Sequence, residues 1–379
     1  MLIVSIREAA MHDGFSVSEV LTRPALPYTP AVEAELAPVW AKVRNRVTPL
    51  EWRLHAPLIV EINRLKRAKN AVILAHNYMT PEIFHGVGDF VGDSLGLARE
   101  AARTDAKVIV QAGVRFMAET SKVLSPDKTV LIPDLRAGCS LASSITAEDV
   151  RLMKARYPGV PVVAYVNTTA AVKAEIDICC TSANAVQVVE AAAAQWGVDR
   201  VMLIPDEFLA RNVARQTDIK IIAWAGKCEV HEQFTAEDIA ELRVAYPGAE
   251  MLAHPECPPE VIAAADFAGS TAAMSDYVVK RRPKQVVLVT ECSMADNVSA
   301  DAPDTEFLRP CNLCPHMKRI TLEAIHDCLL YDRYEITVDP EVADRARLAV
   351  QRMIDLPPPL KPARYDMVKA RHHVDVELI

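Results

Sequence analysis

Three cysteines stand at near-equal spacing along this chain. Cys139, Cys228 and Cys314 are separated by steps of 89 and 86 residues. Thiolates are soft ligands. Three of them converging on one point would hold an iron–sulfur cluster or a metal ion with one coordination position left for substrate, whereas a fourth would close the site. Zinc competes with a cluster on spacing alone. Cys311 and Cys314 have Cys-x2-Cys spacing, which also fits a redox-active thiol pair. Cys314 keeps the ladder nearer to 89 than Cys311 does, so Cys314 is the expected ligand. Cys179, Cys180, Cys257, Cys292 and Cys328 read as small buried hydrophobes.

Two more rungs accompany the cysteines. His76 and Tyr78, Tyr165 and Asn167, and His254 and Glu256 each follow a short apolar run, and Ala75, Ala164 and Ala253 in those runs are 89 and 89 apart. The aligned columns are His76/Tyr165/His254 and Tyr78/Asn167/Glu256. These residue types move protons and hydrogen-bond carbonyl or carboxylate oxygens. One such residue alone is usually a satisfied core side chain; recurrence in three repeats points to a site. His231, three residues after Cys228, joins the candidates. The other rung is Ser94, Ser182 and Thr271, flanked by Asp93, Thr181 and Ser270. Each stands at a predicted helix start, where a side-chain oxygen caps the helix. Helix N-termini also bind anions, so three of them around one centre fit a polyanionic substrate.

The elements that must position these residues repeat with them. Residues 71–75, 160–166 and 251–253 read as fully buried strands by length and branching. Helices are predicted at 95–103 and 183–195, second strands at 107–111, 200–204 and 285–290, and short helices at 116–124 and 208–216. Third strands at 129–132, 219–223 and 306–308 lead toward the cysteines. Thr146–Asp149 and Thr235–Asp238 fit capping-box starts, and the helices they open end at Tyr157-Pro158-Gly159 and Tyr246-Pro247-Gly248. A unit near 90 residues exceeds the usual solenoid repeat of roughly 20–50, so each repeat is a small α/β domain. Alternating strands and helices predict parallel sheets covered on both faces. The polar residues fall just past strand ends, where open α/β sheets bind ligands.

The expected organisation is an N-terminal extension and helices (1–69), repeats at 70–145, 146–234 and 235–317, and C-terminal helices and tail (318–379). The first 30 or so residues read as a loosely ordered extension closed by Pro24, Pro27 and Pro30. Past a break at 334–340, one last helix runs to about residue 354, and the Pro-rich stretch and polar tail beyond it read as peripheral.

Bulk properties exclude several classes. The 379 residues are 51% apolar and 24% charged, with 42 basic against 50 acidic side chains. A net charge of −8 with no dense Lys/Arg run argues against a nucleic-acid partner. No run of 18 apolar residues predicts a membrane span, and the N-terminus does not read as a signal peptide. Nine cysteines without a secreted-scaffold pattern predict a cytoplasmic protein with thiols used for metal or catalysis. No Gly-rich nucleotide loop follows a strand.

The chain resembles the quinolinate synthase family, the A protein of the bacterial NAD pathway. The strings that carry the resemblance are Ala75-His76-Asn77-Tyr78, Asp89-Phe90-Val91-Gly92-Asp93-Ser94, Phe116-Met117-Ala118-Glu119, Tyr165-Val166-Asn167, Cys180-Thr181-Ser182-Ala183-Asn184, His254-Pro255-Glu256-Cys257-Pro258, Gly269-Ser270-Thr271 and Cys314-Pro315-His316-Met317-Lys318. The resemblance implies three pseudo-threefold-related αβα domains, each with a small parallel sheet, around a central cavity. It implies a [4Fe-4S] cluster on Cys139, Cys228 and Cys314, with the open iron as Lewis acid. The implied reaction condenses iminoaspartate with dihydroxyacetone phosphate, losing phosphate and two waters, to give quinolinate. Implied substrate contacts are His76, Tyr78, Ser94, Tyr165, Asn167, Ser182, His231, His254, Glu256, Ser270 and Thr271. Proton-transfer roles are expected for Glu256 and Tyr78, assisted by Tyr165 and His76. Functional coupling to an L-aspartate oxidase or dehydrogenase is expected. Some members carry Cys-x2-Cys-x2-Cys at the third ligand; this chain has only Cys311 and Cys314 there.

Overall fold

The computed structural model describes residues 26–357, Tyr365 and 376–379. Most of the expected N-terminal extension lies outside the described residues. Three parallel sheets form, and their strand order repeats. In the first, β1 (Ala71–His76), β2 (Phe90–Gly92), β3 (Val108–Ala112) and β4 (Thr129–Leu131) lie in the order β2-β1-β3-β4. The second contains β5 (Val162–Tyr165), β6 (Ile178–Cys180), β7 (Arg200–Ile204) and β8 (Lys220–Ala223) in the order β6-β5-β7-β8. In the third, β9 (Glu250–Ala253), β10 (Phe267–Ala268), β11 (Gln285–Val289) and β12 (Glu306–Leu308) follow as β10-β9-β11-β12. The central strands read as continuous apolar runs because helices cover both faces: Ile73-Leu74-Ala75, Val162-Val163-Ala164 and Met251-Leu252-Ala253 are all fully buried. The fold is therefore the expected one, three small αβα domains. The edge strands β2, β6 and β10 were not anticipated; at two or three residues they are too short to carry a periodicity.

One device repeats at the N-terminal end of every sheet. Asp89, Asp177 and Asp266 accept backbone N–H bonds from Ile73, Val162 and Met251 at 2.7, 2.8 and 2.8 Å. Each also receives a cation from the helix that precedes its sheet: Lys66 at 2.8 Å, Lys154 at 3.4 Å and Arg243 at 3.0 Å. Those helices are Pro49–Lys69, Ala147–Arg156 and Ala236–Ala245. Each Asp thus pins a helix against the first strand of its sheet by charge-assisted bonds. The latter two helices start with the expected capping boxes, Thr146 with Asp149 and Thr235 with Asp238.

The C-terminal region departs from expectation. The helix Pro340–Asp355 forms as predicted. The tail is not peripheral, however. Tyr365 is buried and its N–H bonds Ala268 O on the edge of the third sheet. A further strand, β13 (Val376–Leu378), pairs in parallel with β8. It covers an edge of the second sheet that would otherwise present unpaired backbone groups. The Pro-rich composition just upstream hid this docking.

Candidate active site

The three domains meet around a cavity with an atom-free volume of about 710 Å³, its mouth included. The first domain contributes His76, Tyr78, Ser94 and Cys139; the second Tyr165, Asn167, Ser182, Cys228 and His231; the third His254, Glu256, Thr271 and Cys314. Of the sequence candidates only Ser270 stays off the wall. It is buried and its hydroxyl accepts from Ala273 N–H, capping the helix Thr271–Arg281. Asp93 likewise caps the helix Ser94–Arg103 through Gly96 N–H. In the third domain capping and cavity lining are divided between Ser270 and Thr271, whereas in the first Asp93 both caps the helix and lines the cavity beside Ser94. In the second, Ser182 stands three residues ahead of the helix Ala185–Trp196.

Each cysteine is held by the same backbone construction. The third residue past the central strands β3, β7 and β11 ties back the cysteine loop: Arg115 N–H to Ala137 O at 2.7 Å, Glu207 N–H to Gly226 O at 2.8 Å, and Cys292 N–H to Asn312 O at 3.1 Å. The accepting residue lies two before the cysteine in every case. At Gly226 a side chain is impossible, since a Cβ would sit 2.5 Å from Pro205 O and 2.5 Å from Ser144 Oγ. Each cysteine then opens one helical turn, its carbonyl accepting from Ser143, Glu232 or Lys318 N–H. Burial pushes all three thiols up, Cys139 to about 12, while N–H groups of the following turn pull the other way. Three half-buried, free sulfurs, one per domain and each facing amide donors, suit thiolate ligation of a cluster.

Cys292 and Cys311 form a disulfide, with Cα atoms 5.1 Å apart. This corrects two readings. Cys292 is not a free buried hydrophobe, and Cys311 does not pair with Cys314. Cys292 sits just past β11, where the tie to Asn312 brings it beside Cys311; sequence distance hid the approach. Cys314 is left as the free thiol of this loop.

The residues just past the first strands are clamped from behind. Asn297 Nδ2 donates to Asn77 O and Met79 O at 3.0 and 2.8 Å. Asn212 Nδ2 donates to Pro255 O and Cys257 O, both at 2.9 Å. Lys173 Nζ donates to Val166 O at 2.7 Å and to Thr168 O. The clamped carbonyls flank Tyr78, Glu256 and Asn167 respectively, so the whole Tyr78/Asn167/Glu256 column is held alike. Sequence reasoning missed all three clamps, two of them Asn and the third Lys.

Side-chain chemistry within this frame is not symmetric. Tyr78 N–H donates to His76 Nδ1 at 3.2 Å, and Glu256 N–H to His254 Nδ1 at 3.3 Å. Burial holds both rings neutral, down to about 4 for His76 and about 3 for His254. Their protons are therefore on Nε2; that of His254 meets Ser182 Oγ at 3.3 Å. Burial would push the Glu256 carboxyl up, but His231 and His254 together with bonds from His231 and Tyr165 outweigh it and hold Glu256 below the usual carboxylate range. Tyr165 Oη donates to Glu256 Oε1, and His231 Nδ1 lies 2.8 Å from Glu256 Oε2. Burial and the Glu256 charge keep Tyr78 and Tyr165 neutral, well above their ordinary value. Asn167 Oδ1 is buried with no hydrogen-bond partner among the described residues.

Fold and site together define a three-domain α/β enzyme with a thiol-lined, acid–base-equipped reaction centre at the domain junction. A family profile described as "Quinolinate synthetase A protein" matches residues 60–355. The chain is 76% identical over 352 residues to "Quinolinate synthase" of Caulobacter vibrioides, covering 93% of this chain and 96% of that protein. It is 64% identical over 324 residues to "Quinolinate synthase 1" of Mesorhizobium japonicum, covering 86% and 99%. With "Quinolinate synthase" of Xylella fastidiosa it shares 65% over 296 residues, 78% of this chain and 86% of that one. The chain belongs to the quinolinate synthase family. Among the described residues no helix is long and apolar enough to cross a membrane.

Proposed function

We propose that this protein makes quinolinate for NAD biosynthesis by condensing iminoaspartate with dihydroxyacetone phosphate, releasing phosphate and two waters. The observation that supports the reading most is a single cavity lined by one free cysteine from each domain beside an ionised glutamate and two neutral tyrosines. Cys139, Cys228 and Cys314 would hold a [4Fe-4S] cluster. When bound, such a cluster supplies a Lewis-acidic iron with a position open to a substrate oxygen or nitrogen, which eases loss of water.

The chain's own residues then divide the work. His76 and His254, neutral with Nε2–H toward the cavity, donate to substrate carboxylates. Ser94, Ser182 and Thr271 hold carboxylate and phosphate oxygens with the help of helix N-termini. Asn167 offers its unpartnered Oδ1 to a substrate N–H. Glu256 accepts a proton, with Tyr165 orienting it, and Tyr78 exchanges protons at the opposite wall. His231 holds the Glu256 carboxylate, and Ser270 contributes through its cap. Imines hydrolyse in water, so supply of iminoaspartate by an L-aspartate oxidase or dehydrogenase working alongside, in the cytoplasm, belongs to the proposal.

A second reading is favoured by one observation: Cys228, His231 and Glu256 present ligand atoms within 4.8 Å of one another, which would suit a single ion such as zinc. It uses one of the three cysteines and consumes the His231–Glu256 bond, so it explains less. The test is anaerobic purification followed by assay with dihydroxyacetone phosphate and freshly generated iminoaspartate. Quinolinate is expected only when both are present, from protein carrying about four iron and four sulfide per chain. A colourless zinc protein, or iron-loaded protein forming no quinolinate, would overturn the reading.

A further inference from the structure

Lys318 lies four residues past Cys314, and its ammonium group directs all three protons to acceptors. Nζ donates to Tyr78 O at 2.7 Å and to Ser293 Oγ at 2.7 Å, and it pairs with Glu291 Oε1 at 2.8 Å. Glu291 is buried. Its Oε1 also accepts from Cys314 N–H at 3.5 Å, and its Oε2 accepts from Ser293 N–H at 2.8 Å. One ion pair therefore joins the backbone of a proposed cluster ligand to the backbone of Tyr78 in the first domain.

Two comparisons within the molecule set this pair apart from the repeated frame. The positions four past Cys139 and Cys228 are Ser143 and Glu232, and those matching Glu291 after β3 and β7 are Val114 and Asp206. Neither of those domains can form the pair, yet both build the same cysteine turn. The other comparison runs along the Tyr78/Asn167/Glu256 column. Asn297 binds the carbonyls on either side of Tyr78, as Asn212 does for Glu256. Lys318 adds Tyr78 O itself. The carbonyls of Asn77, Tyr78 and Met79 are thus all bound by side chains from beyond the first domain.

We propose that Glu291 and Lys318 are a positioning pair that locks Tyr78 to the Cys314 loop, so that the phenol oxygen keeps a fixed place relative to the third cysteine. The phenol oxygen of a tyrosine stands about 6.5 Å from its own Cα. A backbone tilt of about 10° would move it by about 1 Å, a misplacement that can cost about 10²-fold in rate. A charged donor holds a carbonyl about twice as strongly as a neutral one. Glu291 offsets the ammonium, so the lock adds no net charge beside Cys314.

This inference rests on the proposed role of Tyr78 in quinolinate formation. Its test compares Lys318→Met, Glu291→Gln and the double variant in anaerobic, iron-loaded protein, with rates normalised to bound iron. Lys318→Met keeps the apolar stem and removes the three donors. It is expected to lower kcat by about 10-fold or more, with KM for both substrates within about threefold of wild type, because the lysine does not line the cavity. The loss should act through Tyr78. In a Tyr78→Phe background, which has no hydroxyl to misplace, Lys318→Met should lower kcat by less than about twofold. A second readout needs no substrate: Glu291→Gln leaves the ammonium unopposed beside Cys314 and should raise the midpoint potential of the cluster, and the double variant should bring it back toward wild type. Glu291→Gln keeps size and an acceptor, so it carries the test if Lys318→Met fails to load iron. The inference is overturned by near-wild-type kcat in Lys318→Met, by an equal loss in the Tyr78→Phe background, or by a potential that Glu291→Gln leaves unmoved. Wild-type protein that forms no quinolinate, while the potential shifts as expected, would instead overturn the reaction assignment.

Discussion

The two ends of the three sheets differ in how faithfully they repeat. At the N-terminal end, Asp89, Asp177 and Asp266 are one residue type doing one job, each with a cation from the preceding helix. At the C-terminal end the backbone repeats just as closely, through the cysteine ties and the clamps. The side chains do not: Tyr78, Asn167 and Glu256 share a column and nothing else. Where residues serve only to hold a helix on a strand, all three domains need the same answer. Where they face one shared substrate, the molecule in the cavity lacks threefold symmetry, and each domain must present something different.

The contrast predicts where substitutions strike function and where they strike stability. The largest effect is expected at the cysteines. Cys314→Ser should abolish bound iron, measured by metal analysis and the visible spectrum, whereas Cys311→Ser should keep it because that sulfur is already committed to Cys292. Retention of the cluster in Cys314→Ser would remove the threefold ligand set. Next comes Glu256→Gln, expected to cost about 10³-fold in kcat with bound iron unchanged. Turnover at the wild-type rate would contradict its role as proton acceptor.

A pH effect follows in size. His76 and His254 are held neutral when folded and regain ordinary basicity when unfolded. The unfolded chain therefore binds more protons between about pH 4 and pH 6.5, and stability falls as pH drops through that window, by about 1.4 kcal/mol per pH unit for each ring. His254→Asn should flatten that slope in thermal melts of the anaerobic protein; an unchanged slope would assign the loss to other groups. Among the clamps, Asn212→Leu leaves two buried carbonyls without a donor. It should cost about 2–3 kcal/mol and reduce kcat through misplacement of Glu256. At the opposite end, Asp177→Asn should cost only about 1–2 kcal/mol, with kcat within about twofold of wild type. If Asp177→Asn damaged turnover as much as Asn212→Leu, the division between the two ends would fail.

The sequence was most legible where one residue type recurs at fixed spacing. The strands β1, β5 and β9, the two capping boxes and the cysteine ladder were all apparent, because local burial and capping demand particular residues. The cavity-lining hydroxyls were found in the right strings, though Ser270 turned out to be engaged in capping. The clamps escaped notice because two are Asn297 and Asn212, each reaching into another domain, while the third is Lys173, acting within its own. A donor need only reach two carbonyls, so neither identity nor spacing marks it.

By itself the sequence determined three α/β repeats, one thiol in each, and a set of polar residues at strand ends, since hydrophobic period, helix caps and repeat spacing are local properties of the chain. Only the tertiary structure decided which cysteine of the Cys311/Cys314 pair stays free, that the tail docks on two sheet edges, and which polar side chains of the three domains meet in the cavity. Those outcomes depend on groups up to 212 residues apart, such as Tyr78 and Thr290, arriving within hydrogen-bond distance. Packing of whole domains brings them together, and no local pattern records it.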